Sequence, residues 1–424
     1  MDLQLPKGTR DFSPEEKILR DKIVDTLKEV FELYGYAPLD TPILERYDIL
    51  ASKYAGGSEI LKETFRFKDQ GERDLGLRYD LTVPMCRYVG MNPVIKMPFK
   101  RYQIGEVFRD GPIASGRYRQ FTQCDVDVVG SSSMATDADI LSLIVGAFQK
   151  LGLDIVVKVN SRKLLNDILG FSGIEKSRQE AVILSIDKLE KFGANTVKNE
   201  LRQQKIDDKK INLIIDLINV KGTNEEKAEQ LKKFIKNSEG LNEMEELLNY
   251  AGNLNVVIDF DVSLARGLSY YTGTVIETFL KNNGVKSAVC AGGRYNNMIG
   301  AFLGKGNFPA VGVAFGVDRI YDTLLEKQRT LQKTKTKIYV IPIKTINESM
   351  KIAGQLRQAG ISSDIDLSDK GPSKNLEYAN SLGIPFVLFV GKKELGQGKL
   401  KLKDMKSGKE EMLDINEIVQ KLKS

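Results

Sequence analysis

Apolar residues Ile23, Leu27, Val30, Phe31 and Tyr34 recur at the spacing of one helix face. The residues around them mark its ends: Ser13 as N-cap, Pro14 at the first helical position, Glu15 and Glu16 in the first turn, and Gly35 beyond the last. From 99 to 130 the period becomes two, broken by a Gly/Pro/Ser-rich stretch at 110–116, which predicts a long antiparallel hairpin. Runs rich in Lys, Glu, Asn and Leu at 174–192, 209–220 and 242–250 predict a helical insertion over about 171–250. Strand-like sequence returns at 256–261, 274–278 and 288–290, followed by a glycine-dense stretch and a helix from about Val317. Beyond a Lys/Thr linker at 332–337, strand 338–343, helix 348–358, strand 361–366, helix 375–382 and strand 385–390 alternate. Such alternation predicts a small α/β domain with a largely parallel sheet. The chain divides accordingly into residues 1–330, carrying the insertion, and 331–424.

Composition narrows the chemistry. The 424 residues are 42% hydrophobic, enough to bury more than one core. The longest apolar run, 384–390, falls far short of the roughly 20 residues that span a bilayer, and no apolar stretch follows the N-terminus. A soluble, cytoplasmic protein without membrane contact is expected. Cys86, Cys124 and Cys290 form no CxxC pair and read as small buried hydrophobes. There is no histidine at all, which excludes imidazole triads, His-ligated zinc and His general bases. Chemistry that depends on positioning and charge stabilisation fits that limit. Residues 331–424 hold 17 Lys/Arg against 11 Asp/Glu, an excess of 6 that equals the whole chain's net charge of +6. A basic end on a neutral body suits a polyanion such as nucleic acid, and equally a solvated lysine-rich surface.

In QFTQCDVDVVG, a period of two sets Gln123, Asp125 and Asp127 on one face and Cys124, Val126 and Val128 on the other. The polar face suits an amine, a hydroxyl or an imidazole N–H; it also fits an exposed sheet face. Arg109, Arg117 and Arg119 gather at the open end of the hairpin, where an anion such as a nucleotide phosphate relieves their repulsion. Arg266 beside Gly267 precedes Tyr270 and Tyr271, which share a pocket only if the chain bends there, and which otherwise read as core aromatics. The glycines of 292–319 match neither G-x-x-x-x-G-K-[ST] nor a strand-borne GxGxxG; they fit close backbone approach to a ligand, with Arg319 at a helix start.

Together these segments resemble the histidyl-tRNA synthetases, from Lys7-Gly8-Thr9-Arg10-Asp11-Phe12 to near the C-terminus. Residues 36–43 (YAPLDTPI) are similar to the first class II motif, which forms the family's dimer interface. Arg78 to Thr82 is similar to its amino-acid-binding stretch, and Arg109 with 116–123 to the second motif. Residues 264–274 resemble the RGLDYY signature, Gly292 to Tyr295 the GGRY element, and 311–319 the third motif. The resemblance implies a class II antiparallel sheet flanked by helices, a helical insertion and a C-terminal anticodon-binding domain. It further implies ATP-dependent formation of histidyl-adenylate, transfer to the 3′ end of histidine tRNA, and a homodimer. Arg109, Arg266 and Arg319 would be catalytic, with Arg109, Arg117 and Arg319 on ATP and Mg2+ held mainly by the phosphates rather than by a protein metal site. Asp80, Leu81, Thr82, Gln123, Asp127, Tyr270 and Tyr271 would bind L-histidine. Two positions depart from the pattern: Gly111 replaces the acidic residue two after the motif arginine, and Ser269 replaces the signature Asp. A catalytically silent regulatory relative of histidine biosynthesis would show an eroded Arg266 signature and lack the anticodon domain. A general RNA-binding protein would have no need of the aligned Arg109, Gln123, Asp127, Arg266 and Arg319.

Overall fold

A computed structural model of the chain describes residues 2–51, 61–113, 117–267, 270–281, 287–304, 306–327, 331–368 and 370–423; Gly116 and Ser269 lie outside them. The chain forms two compact units, one of 1–10 and 23–324, the other of 11–22 and 325–424.

The first unit is built on an eight-stranded sheet. Its strands in chain order are β1 (Ala37–Pro38), β2 (Phe99–Phe108), β3 (Gln120–Val129), β4 (Ile155–Ser161), β5 (Asp259–Phe260), β6 (Thr274–Leu280), β7 (Cys290–Arg294) and β8 (Ala310–Gly316). They lie in the order β1-β2-β3-β8-β7-β6-β4-β5, antiparallel throughout except for the parallel pairs at the two edges. The predicted hairpin is β2–β3. The helix Pro14–Leu33 has the expected cap: the Ser13 backbone N–H donates to Glu16 at 2.8 Å, and Gly35 takes φ 76° beyond its end. Its Phe31 ring sits 5.6 Å from Tyr102 on β2 and 5.5 Å from Phe315 on β8, with Phe148 of the helix Met134–Lys150 5.7 Å from Phe315. These helices cover one face of the sheet and leave the other for the site.

The insertion is helical, but in more pieces than its periodicity shows: Lys176–Ile186, Leu189–Gln203, Asp208–Ile218, Asn224–Lys232 and Glu239–Asn253. The expected 174–192 run breaks at Asp187 and Lys188, and Asn224–Lys232 is too polar to register as an apolar stripe. The strand expected at 288–290 instead runs over Cys290–Arg294, through two glycines that pair in the ladder, and the 256–261 strand shortens to Asp259–Phe260.

In the second unit, strands β9 (Ile338–Ile343), β10 (Ser363–Ile365), β11 (Phe386–Gly391), β12 (Leu400–Asp404) and β13 (Glu410–Leu413) lie in the order β10-β9-β11-β12-β13. The first three are parallel as expected; β12 and β13 add an antiparallel hairpin. Ile338 and Val340 enter one core cluster while Tyr339 and Ile341 enter another, so helices cover both faces of the parallel half. Among the described residues no helix is long and apolar enough to cross a membrane.

Candidate active site

Register decides which side chains meet on the open face. Asp125 lies opposite Gln103 on β2 and Ala314 on β8, and Asp127 opposite Arg101 and Gly312. Cys124, Val126 and Val128 are buried on the helix side, as their alternation requires. Gln123, Asp125 and Asp127 line a cavity of about 200 Å3, joined there by Asp80, Thr82 and Tyr295. Tyr270 and Tyr271 also line it, their ring centroids 4.6 Å apart. Both fit because the strand begins only at Thr274, so their side chains escape strict alternation. Leu81 is fully buried and its side chain does not reach the cavity; its carbonyl instead accepts from Arg101 at 3.2 Å.

The pocket floor is bare backbone. A Cβ on Gly292 would stand 2.0 Å from the carbonyl oxygen of Gly312, and one on Gly312 would stand 2.0 Å from Asp127 Oδ1. The walls are acidic. Burial pushes the Asp80 carboxyl up to about 6, against the Val83 N–H that donates to it at 3.0 Å and the nearby Arg109. Burial, reinforced by Asp127 and Asp80, pushes the Asp125 carboxyl well above the carboxylate range; burial also raises Asp127, against Arg101 and Tyr295. A cationic, N–H-rich guest satisfies such walls.

A larger cleft of about 1000 Å3 shares Arg109, Gln123 and Arg266 with this pocket and adds Arg117 and Arg319. Arg109 Nε donates to the Tyr79 carbonyl at 3.1 Å, which aims its guanidinium past the Phe121 ring. Arg266 pairs with Glu277 at 2.8 Å, and Arg117 with Glu63 at 2.6 Å. Arg319 donates to the Ala288 carbonyl at 2.5 Å. Burial together with Arg109, Arg266 and Arg117 pulls the Arg319 guanidinium down, whereas Tyr271 and Glu277 outweigh burial at Arg266 and hold it up. These four arginines, with Lys158 and Lys191 also on the wall, form a seat for a polyanion, as the hairpin arginines suggested. A fifth arginine, Arg119, is held by Asp110 at 3.1 Å and does not line the cleft.

At the departure Gly111, a Cβ would stand 2.7 Å from the Glu63 carboxylate, so Glu63 occupies the space that a side chain at 111 would need. Sequence reasoning singled out neither Glu63 nor Arg101, because each is brought in by a different element; Tyr295 was visible only within GGRY. In that element Arg294 faces away from the cavities, pairing with buried Asp137 and donating to the Ser131 and Ser133 carbonyls at 2.8 and 3.1 Å. Cys86, Cys124 and Cys290 are free and buried.

The family model for histidyl-tRNA synthetase matches residues 8–320, and the anticodon binding domain model matches 337–424. The chain belongs to the histidyl-tRNA synthetase family. It is 42% identical over 416 residues to histidine–tRNA ligase 1 of Bacillus cereus, covering 97% of this chain and 95% of that one. The crystal structure of histidyl-tRNA synthetase from a Nostoc species superposes with a TM-score of 0.89 at 31% identity, covering 100% of this chain and 99% of the other. An ATP phosphoribosyltransferase regulatory subunit/histidyl-tRNA synthetase from Bacillus halodurans shares the fold at a TM-score of 0.75 and 21% identity, over 90% of this chain and 97% of that one.

Proposed function

We propose that this chain activates L-histidine with ATP and transfers it to the 3′ end of histidine tRNA. The observation that carries the reading is the junction of a small acidic, tyrosine-walled pocket with a large arginine-walled cleft across Arg109, Gln123 and Arg266. An amino acid in the first and ATP in the second meet there, its carboxylate against the α-phosphate. Asp80, Thr82 and Gln123 take the ammonium end; Asp127, Tyr270 and Tyr271 surround the imidazole. Arg109 holds the α-phosphate, Arg319 the γ-phosphate, and Arg117 the nucleotide at the cleft rim. The histidine carboxylate attacks the α-phosphorus and pyrophosphate leaves, while Arg266 stabilises the charge that develops between them. No imidazole of the enzyme is called on, in keeping with its absence from the sequence. The tRNA terminal hydroxyl then attacks the acyl carbon and AMP leaves.

Magnesium would accompany ATP, held chiefly by its phosphates, and would neutralise part of their charge. The C-terminal unit would bind the anticodon loop through its lysine-rich surface, and the chain would act as a cytoplasmic homodimer through the segment 36–43. The regulatory-subunit alternative is not favoured: Arg266 is retained at the junction and the anticodon-binding domain is matched. Histidine-dependent exchange of pyrophosphate into ATP and aminoacylation of histidine tRNA test the proposal. A folded, histidine-binding protein inactive in both would overturn it.

A further inference from the structure

The small pocket holds one carboxyl group more than the assigned contacts use. Behind its wall, from β2, the Arg101 guanidinium is completely buried and places Nη2 2.7 Å from Asp127 Oδ2 and 3.2 Å from the Leu81 carbonyl. The other oxygen of Asp127 accepts the Tyr295 hydroxyl. Both Asp127 oxygens thus have a neighbour within the protein, Oδ1 through the tyrosine hydroxyl and Oδ2 through the ion pair with Arg101, which is not aligned as a hydrogen bond. Asp125 differs: it is 3% exposed, lines the cavity, and its Oδ1 is buried with no hydrogen-bond partner among the described residues. Arg101 Nε and Nη1 are likewise buried without a partner. The charged groups facing Asp125 are Arg101 from β2, Arg109 just beyond its end, Arg78, Asp127 on its own strand, and Asp80 from the turn before the helix Thr82–Met91. Asp80, Asp125 and Asp127 thus share the pocket wall with Glu63, against the guanidinium groups of Arg109 and Arg266 on that wall and of Arg101 behind it.

A buried acceptor with no partner is costly, and the cost is relieved only when a guest brings a donor. Along β3, Asp125 stands about 7 Å from both Gln123 and Asp127, midway between the proposed ammonium and imidazole ends. We propose that Asp125 is a specificity-determining residue of the amino-acid pocket, its open Oδ1 accepting an N–H of the bound histidine. Arg101 is then a positioning residue, which keeps Asp127 turned towards Tyr295 and leaves Asp125 open to the guest. This inference rests on the histidine-activating reading above and deepens it.

The test compares wild type with Asp125→Asn and Arg101→Lys, the full chain in each case. Histidine binding is measured by calorimetry, and histidine and ATP kinetics by pyrophosphate exchange. Asp125→Asn keeps the shape of the carboxyl but turns one of its two oxygens into an N–H donor, which opposes a guest that brings its own donor. It is expected to weaken histidine binding about 10-fold, the worth of one buried hydrogen bond. The change should appear in the KM for histidine, with the KM for ATP and the melting temperature close to wild type. Arg101→Lys keeps the charge without the fork and should raise the same KM less, with kcat nearly unchanged. Wild-type histidine affinity in Asp125→Asn would overturn the proposal, as would equal loss of histidine and ATP binding. The binding measurement decides the role of Asp125. A wild type that binds histidine but exchanges no pyrophosphate would overturn the activation reading instead.

Discussion

Replacing Arg266 with alanine gives the sharpest account of how the two cavities work together. Its guanidinium lines both, and in the empty site it is held by Glu277 at 2.8 Å and lies 5.5 Å from the Tyr271 ring centroid. On binding, that charge is shared with the phosphate and carboxylate oxygens between which the new bond forms. Removing one preorganised donor aimed at developing charge costs about 3 kcal/mol, or about 100-fold in rate. The truncation also leaves Glu277, whose carboxyl is raised by burial and then by Asp187 and Glu190, without the cation that most opposes that shift, so the cleft favours a triphosphate less. Arg266→Ala should therefore lower kcat about 100-fold and also raise the KM for ATP. Adding Glu277→Gln should restore the ATP KM while leaving kcat low. Pyrophosphate exchange at saturating histidine, with ATP varied, reads both quantities. A folded Arg266→Ala enzyme within about threefold of wild type in kcat would refute the placement of this arginine at the reacting atoms.

Three further outcomes follow from other contacts. Gly312→Ala drives a Cβ to 2.0 Å from Asp127 Oδ1 and 2.7 Å from the Val126 carbonyl, so Asp127 must leave Arg101 and histidine affinity should fall steeply in calorimetry; unchanged affinity would show that the floor yields. Arg294→Met leaves Asp137 buried and unpaired, which should cost about 3–5 kcal/mol in thermal or urea unfolding. Arg294→Met with Asp137→Asn should recover most of that, and equal losses in the single and double variants would count against the pair. Histidine KM should rise below about pH 6, where Asp80 takes up a proton and no longer attracts an ammonium group, over and above the change caused by the substrate's own imidazole. Its carboxyl is raised from 3.8, so the folded state binds that proton more tightly than the unfolded chain. This group's contribution to stability should consequently grow as pH falls from about 6 towards 3.8, and Asp80→Asn should remove both effects.

Much of this was legible in the chain, for reasons that differ by element. The alternation of Gln123, Asp125 and Asp127 against Cys124, Val126 and Val128 fixed a polar strand face, because period two survives inside a sheet whatever surrounds it. The cap at Ser13 and the start of the helix at Val317 were equally local. What stayed hidden depends on partners. Arg101 reads as one more basic residue in FKRY until register sets it across from Asp127. Gly292 and Gly293 read as glycines beyond the strand that let backbone approach a ligand, yet they pair within β7, where neighbouring backbones leave no room for a side chain. The hairpin β12–β13 went unread although Leu400 and Leu402 alternate with Lys401 and Lys403, because two strands of five and four residues carry too few apolar positions to stand out among the lysines and glutamates. Tyr270 and Tyr271 meet in one pocket through a loop conformation that strand periodicity does not describe.

The glycine floor between β7 and β8 separates two kinds of recognition. Peptide groups at Gly292 and Gly312 have no rotamers to freeze and do not titrate at ordinary pH, so their part of the binding surface is preorganised and constant. The walls, built from Asp80, Asp125 and Asp127, titrate and respond to charge. Shape discrimination should thus persist across the pH range while charge discrimination changes within it. Variation at the walls can retune which cation is accepted, whereas the floor tolerates none without loss of the pocket itself.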